Sequence, residues 1–329
     1  LSKIHSIIIQ VKHTNDTHIS LSIILFNSQN DSSSSKTQHT PLSIIHSIIT
    51  QHKRHTSLYH TTQPTNTHKQ RGSSHPELAE NVAGCLGVEL SEANIKSFNN
   101  GETAVTITDS VRDCDVFVIQ STCFPQPNDN IVELCIMVDA LRRAGAARIT
   151  VVMPHFAYAR NSFKNKSRTP IVSKLIADML ETTGVDRVVT IDLHSSQIQG
   201  FATYPIDNLD GLPTLRNYLL RLGVFGDDVV VVASSPHGAK MAESLSKQLG
   251  SGFALNSKVR ERDNITDHPV LVGDVKDKKC ICLVDIIDTG ATLCRTSHVC
   301  KEAGANMVIG AAIHGIFSDN TIQDLDESD

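Results

Sequence analysis

The first 70 residues contain no glycine, no alanine and no glutamate, and no arginine before Arg54. A stretch without turn residues or small packing residues does not build a folded domain. The same stretch holds nine of the sixteen histidines and repeats itself, IHSIIIQVKHT at 4–14 returning as IHSIITQHKRHT at 45–56. We read residues 1–71 as a low-complexity, disordered extension, and its irregularly spaced histidines receive no metal. The apolar runs there, Ile7 to Ile9 and Leu21 to Phe26, are far too short to cross a bilayer. Scarce acidic residues with abundant Ser and Thr fit a transit peptide, but the lack of arginine argues against one.

An excess of positive charge is also missing. The net charge is −5 and the pI is near 6.3, which give no reason to expect nucleic acid or an anionic membrane as partner. Paired CxxC spacing is absent too. The eight cysteines (85, 114, 123, 135, 280, 282, 294 and 300) lie in apolar or helical stretches and read as buried thiols of a reducing, cytoplasmic protein. Cys280 and Cys282 alternate along one strand and share a face, which makes a metal site there improbable.

From Gly72 onward, β-branched apolar runs alternate with amphipathic segments of helical length, the pattern of a doubly wound α/β fold with parallel sheets. A chain of 329 residues, 40% hydrophobic, is long enough for two such cores. The first block, 72–210, carries strands at 116–121, 149–154 and 187–192 and helices near 75–86, 129–144 and 170–183. The second, 211–329, carries strands at 229–234, 270–273, 280–285 and 307–312 and helices near 237–249 and 291–303. Ligands of such sheets bind beyond the carboxyl ends of the strands.

One segment stands out by that rule. CICLVD is an apolar strand ending in Asp285, followed by Asp288, Thr289, Gly290, Ala291 and Thr292 at the start of a helix. Turn amides, helix-start amides and two hydroxyls make a concavity for a phosphate. Asp285 and Asp288 would repel that phosphate and are better placed to accept hydrogen bonds from sugar hydroxyls. Strand, paired aspartates and small-residue turn together point to a ribose phosphate rather than an ordinary capped helix start.

This loop resembles the phosphoribosyl-binding loop of type I phosphoribosyltransferases and of the ribose-phosphate diphosphokinase (PRPP synthetase) family. SSHPELAENVAGCLG (73–87), SFNNGETAV (97–105), NDNIVELCIMVDALRRAGA (128–146), PHFAYAR (154–160), DLHSSQIQGF (192–201), VLVGDVKDK (270–278) and HGIFS (314–318) resemble the diphosphokinases in order and spacing. The resemblance covers roughly Gly72 to Ser318 and leaves a simple phosphoribosyltransferase unable to account for the first block. It implies two tandem domains of type I phosphoribosyltransferase-like fold, in a homo-oligomer or in a hetero-oligomer with homologous subunits. It also implies transfer of the β,γ-diphosphoryl unit of ATP to O1 of ribose 5-phosphate, with Mg2+. By the same resemblance Phe98, Asn100 and Glu102 reach the adenine of ATP on a neighbouring subunit, Arg160 and Asn161 meet ATP phosphates, and His194 is metal-associated. Lys258 and Arg260 match the catalytic-loop lysine and arginine. Ser110 to Arg112, Arg168, Ser196 and Asn208 fall in segments for phosphate and nucleotide regulation.

The departures from the family pattern lie close to the chemistry. After Arg160 the usual Gln-Asp becomes Asn161-Ser162, and Phe163 and Asn165 replace a basic and an acidic residue. In ASSPHGAKMA (233–242) the family's acidic metal position is Ser235, its glycine is His237 and its arginine is Met241. A neutral hydroxyl is a poor substitute for a carboxylate toward Mg2+, a hard cation. Ile286 stands where the family has a second adjacent aspartate, and the chain ends soon after HGIFS, short of the family's last strands and helices. The expectation is a family enzyme with impaired activity; the alternative is a non-catalytic subunit associated with active homologues.

Overall fold

The structure, a computed structural model, describes residues 5–8, 24–27, 67–259 and 268–327. These divide into two compact units that part between Asp210 and Gly211. Two short strands, β1 (His5–Ile8) and β2 (Ile24–Asn27), pair antiparallel with His5 opposite Asn27 and group with the C-terminal unit. This corrects the reading of the whole extension as devoid of structure. Both strands fall on the apolar, isoleucine-rich runs, where β propensity is highest.

The N-terminal unit begins with β3 (Thr67–Arg71), inside the segment assigned to the extension. The sequence THKQR has no apolar period, so pattern alone could not reveal it. Its backbone ladder makes it a strand: it runs parallel to the apolar β6 (Asp115–Ile119) at the edge of the sheet. The Gln70 side chain is fully buried there, and neither its amide nitrogen nor its oxygen has a partner.

After β3 come α1 (Pro76–Leu86) and an antiparallel hairpin, β4 (Ala93–Ser97) with β5 (Thr103–Ile107). Then follow β6, α2 (Pro127–Arg143), β7 (Arg148–Val152), α3 (Val172–Thr183), β8 (Arg187–Ile191) and β9 (Ile206–Leu209). The five-stranded sheet is parallel throughout, in the order β3-β6-β7-β8-β9. Alternation along β6 sends Val116 and Val118 to a core shared with Leu134, Met137 and Leu141 of α2 and Leu180 of α3. Ile119 faces the other way, onto Leu78, Ala79 and Val82 of α1. Helices therefore cover both faces, as a doubly wound sheet requires.

The C-terminal unit runs α4 (Leu212–Arg221), β10 (Val229–Ala233), α5 (Ala239–Leu249), β11 (Gly252–Val259), β12 (His268–Val272), β13 (Lys279–Ile287), α6 (Ala291–Glu302), β14 (Met307–Gly315) and α7 (Thr321–Glu327). Its sheet order is β12-β11-β10-β13-β14. β12 is an antiparallel strand added at the edge, against β11, of an otherwise parallel sheet. Only residues 260–267 separate the two strands, too few for a parallel crossover, which takes about a dozen or more. From β10 the chain moves first to one side, to β11, and later returns to the other side, to β13. The carboxyl ends of β10 and β13 thus flank a topological switch point, the usual ligand crevice of an open α/β sheet. VVVVA of β10 is buried at every position, as a central strand demands, each aliphatic side chain contributing roughly 1.5–3 kcal/mol.

All eight cysteines are free, five buried and three partly so. Cys282 and Cys300 approach to 3.9 Å between β13 and α6. The neighbouring Cys300 thiol and burial push the Cys280 thiol up, so it stays protonated. Among the described residues no helix is long and apolar enough to cross a membrane.

Candidate functional site

β13 runs two residues past Asp285, to Ile287, so the turn proper is only Asp288, Thr289 and Gly290. Gly290 is the N-cap of α6 with φ 71° and ψ −16°, a left-handed conformation suited to glycine. A Cβ there would lie 3.2 Å from Leu325 and 3.3 Å from Thr321, both on α7. Two further ties fix the turn. The Ser318 hydroxyl donates to the Asp288 carboxylate, and the Thr321 hydroxyl donates to the Asp288 carbonyl at 2.8 Å.

Thr289, Ala291 and Thr292 are exposed around the buried Gly290, and Asp285 and Asp288 are half-buried. The first amides of α6 have no intrahelical acceptor by helix geometry, and the helix dipole favours an anion in front of them. The turn therefore offers amides and hydroxyls for a phosphate beside carboxylates for sugar hydroxyls. Ile286, half-buried, adds no acceptor.

Facing this turn across the strand ends is the segment after β10. Ser234 donates its amide to Leu283 of β13 at 3.3 Å, and its buried hydroxyl has no partner. Ser235 uses its hydroxyl as a cap, accepting from the Gly238 amide at 3.4 Å. His237 is exposed, and its ring places a nitrogen within 4.8 Å of an Asp285 carboxylate oxygen. In the sequence His237 shows only as a departure from a family glycine.

In the N-terminal unit Phe98, Asn100 and Glu102 sit together on the tip of the β4–β5 hairpin, an element that sequence reading did not anticipate. Phe98 donates to the Glu102 carbonyl at 2.8 Å, Gly101 turns with φ 88°, and the Asn100 side chain accepts from the Glu102 amide at 3.1 Å. Phe98 itself is 58% exposed, an apolar ring held out at a loop tip.

Arg160 lies exposed after β7, and His194 half-buried after β8. The two segments are joined by a 2.9 Å hydrogen bond between the buried hydroxyls of Ser162 and Ser195. Asn161 looks inward: its carbonyl accepts from the Ser173 amide and hydroxyl at 3.2 and 3.0 Å, and its side chain reaches Val172 at the start of α3. Its side-chain oxygen thus serves the helix start. Asn208 accepts from the Leu193 amide at 2.9 Å and so supports the backbone next to His194. Arg168 has φ 62° on an exposed loop, Ser110 to Arg112 lie in the connection before β6, and Ser196 opens the short 3-10 helix Ser196–Gly200 directly after His194 and Ser195. Lys258 is near the end of β11, where only its backbone is described, and Arg260 lies outside the described residues.

A polar network under the N-terminal strand ends left no recognisable signal in the sequence. Buried Glu133 accepts from the Ser73 amide at 2.6 Å, from the Ser73 hydroxyl, and from Gln120 at 2.9 Å. Gln120 in turn accepts from the Ser74 hydroxyl at 2.8 Å.

Comparisons with known proteins agree with this anatomy. Residues 70–184 match the family model for the N-terminal domain of ribose phosphate pyrophosphokinase. Ribose-phosphate pyrophosphokinase A of Dictyostelium discoideum is 44% identical over 257 residues, covering 78% of this chain and 80% of that protein. The ribose-phosphate pyrophosphokinase of Clostridium perfringens is 42% identical over 258 residues, 78% of this chain and 81% of its own. The crystal structure of phosphoribosylpyrophosphate synthetase from Mycobacterium smegmatis superposes with a TM-score of 0.74 at 40% identity, over 80% of this chain and 86% of that one. Likeness at that identity spans both units, and the chain belongs to the ribose-phosphate pyrophosphokinase family.

Proposed function

We propose that this chain is a ribose-phosphate pyrophosphokinase that transfers the diphosphoryl group of ATP to O1 of ribose 5-phosphate, giving PRPP and AMP. The observation that carries this reading is the Asp285–Thr292 turn at the switch point of the C-terminal sheet, in a chain similar to pyrophosphokinases along most of its length. The amides at the start of α6 and the hydroxyls of Thr289 and Thr292 hold the 5-phosphate; Asp285 and Asp288 accept from the ribose hydroxyls and orient O1. O1 attacks the β-phosphorus of ATP, its bond to that phosphorus forms as the bond to the α-phosphate oxygen breaks, and AMP leaves. Such transfer is catalysed by alignment and by neutralising charge on the moving phosphates.

Phe98, Asn100 and Glu102 are assigned to the adenine of a neighbouring subunit's ATP in an oligomer, Arg160 to the ATP phosphates, and Lys258 and Arg260 to the transferred group. Asn161 is assigned to the same phosphates through its side-chain NH2, its oxygen accepting from Val172. Mg2+ fits the donor set of the C-terminal unit in part: Asp285 supplies a carboxylate, His237 an imidazole, and Ser235 only a hydroxyl already used as a cap. His194, in the N-terminal unit, is assigned separately to a metal near the ATP phosphates. When bound, the cation offsets phosphate charge. A reducing, cytoplasmic setting accords with eight free thiols. The two units are proposed as the domains, the first taken from Thr67 rather than Gly72.

The test is AMP and PRPP formation from ATP and ribose 5-phosphate with Mg2+, for the chain, Ser235→Asp and Asp288→Asn. Equal amounts of both products are expected, raised several-fold by Ser235→Asp and cut about a hundredfold by Asp288→Asn. Lack of product from the folded chain and from Ser235→Asp would favour the non-catalytic subunit instead.

A further inference from the structure

The imidazole of His237 stands in the switch-point crevice with a ring nitrogen within 4.8 Å of an Asp285 oxygen. A single ion with bonds of about 2.0–2.2 Å to nitrogen and oxygen spans ligand atoms up to about 4.2 Å apart, so a small side-chain rotation brings both onto one cation. The pairing follows from the fold. β10 and β13 are adjacent and parallel, Ala233 opposite Leu283, so residues just past β10 meet residues just past Leu283. Ser234, whose buried hydroxyl has no protein partner, adds an unused oxygen at the same strand end. Ser235, by contrast, is committed to capping Gly238.

We propose that His237 is a metal ligand of this chain and that, with Asp285, it forms a one-nitrogen, one-carboxylate half-site selecting Mn2+ over Mg2+. This deepens the function proposed above, since the site borders the ribose phosphate turn. The chemistry of the pair sets the preference. Mg2+ favours all-oxygen shells, keeps its waters and takes carboxylates and phosphates, whereas a first-row transition cation accepts imidazole nitrogen. Water and, in turnover, phosphate oxygens complete the shell. His237 is exposed, so replacing it disturbs no buried packing.

The experiment is direct metal binding by the full chain without either substrate, followed by electron paramagnetic resonance, which separates it from any question of turnover. Wild type is expected to bind Mn2+ at least about tenfold more tightly than Mg2+ measured by competition. The bound Mn2+ is expected to show the modulation of a directly coordinated 14N. His237→Ala should abolish the part of that signal due to this site and lower Mn2+ affinity about tenfold or more, leaving Mg2+ competition nearly unchanged. Asp285→Asn should weaken both cations. Unchanged Mn2+ affinity and 14N modulation in His237→Ala, or an unaffected Asp285→Asn, would overturn the proposal. Loss of turnover with a normal His237-dependent signal would defeat only the proposed activity.

Discussion

The two units hold their strand-end loops by different means. In the N-terminal unit the strands are added in one direction from β3 to β9, and among the described residues the sheet has no point where the order reverses. There the segments after the strands are knitted by buried side-chain hydrogen bonds: Ser73 and Gln120 to Glu133, Thr122 to the His155 carbonyl at 2.7 Å, and Ser162 to Ser195. In the C-terminal unit the order reverses between β10 and β13, and a crevice is built into the topology. Its loop is held by a left-handed glycine with apolar contacts from α7, and by the Ser318 and Thr321 hydroxyls donating to Asp288. Topology supplies the concavity in one unit; the other must position its functional side chains through a polar network.

The contrast can be broken most severely at Gly72, between β3 and the network. A Cβ at Gly72 would lie 1.9 Å from the Gln120 oxygen, and Gln120 cannot swing aside without losing Ser74, the Asn130 carbonyl and Glu133. Gly72→Ala should cost about 3 kcal/mol through overpacking and unsatisfied buried groups, lowering the melting temperature by roughly 6–10 °C. A drop under about 2 °C in a thermal scan would mean that the network is slack and the contrast between the units false.

How much of this could be read beforehand follows the same division. The strands β6, β7, β8, β10, β13 and β14 each carry a β-branched or apolar run, and the Asp285–Thr292 segment stands where one such run stops, so the fold class and the strand–turn–helix start at that position were legible. β3 was not, because THKQR becomes a strand only through its ladder to β6. The β4–β5 hairpin, ANIKS and TAVTI, mixes polar and apolar residues on a half-exposed ribbon and gives no strong period. The nearness of His237 to Asp285 depends on the pairing of strands about fifty residues apart, which no local pattern encodes. The carboxylate of Glu133, buried in an amphipathic helix, looks in sequence like any solvated helix charge.

A second test probes the C-terminal loop. Gly290→Ala forces a Cβ into the left-handed region, at about 1–2 kcal/mol, but the atoms it meets are the side-chain ends of Leu325 and Thr321, which can give way. The stability loss should therefore be smaller than at Gly72. Function should suffer more: any shift of this residue re-aims the first amides of α6, and KM for ribose 5-phosphate should rise about ten- to a hundredfold. Steady-state kinetics showing an unchanged KM would remove the turn from the phosphate site.

The smallest effect belongs to His75, where the N-terminal network and α1 meet. Its Nδ1 accepts from the Leu78 amide at 3.0 Å and caps α1, which requires that nitrogen to be unprotonated. The ring is only 6% exposed, and burial holds its pKa below the usual 6.5, against the opposing pull of Glu77. The folded protein therefore binds this proton less readily than the unfolded chain. The cap's contribution is complete above pH 6.5 and is lost as the pH falls from there through the lowered folded pKa. Asparagine caps helices well and does not titrate. At pH 7.5 His75→Asn should match wild type within about 0.5 kcal/mol. By pH 5.5 the variant should be the more stable of the two, by a margin that stays under about 1 kcal/mol because the cap itself is worth no more. Denaturant titrations at the two pH values give the difference directly, and the other histidines cancel in it. A difference independent of pH would show that His75 titrates normally, and that the polar network does not exclude water from the start of α1.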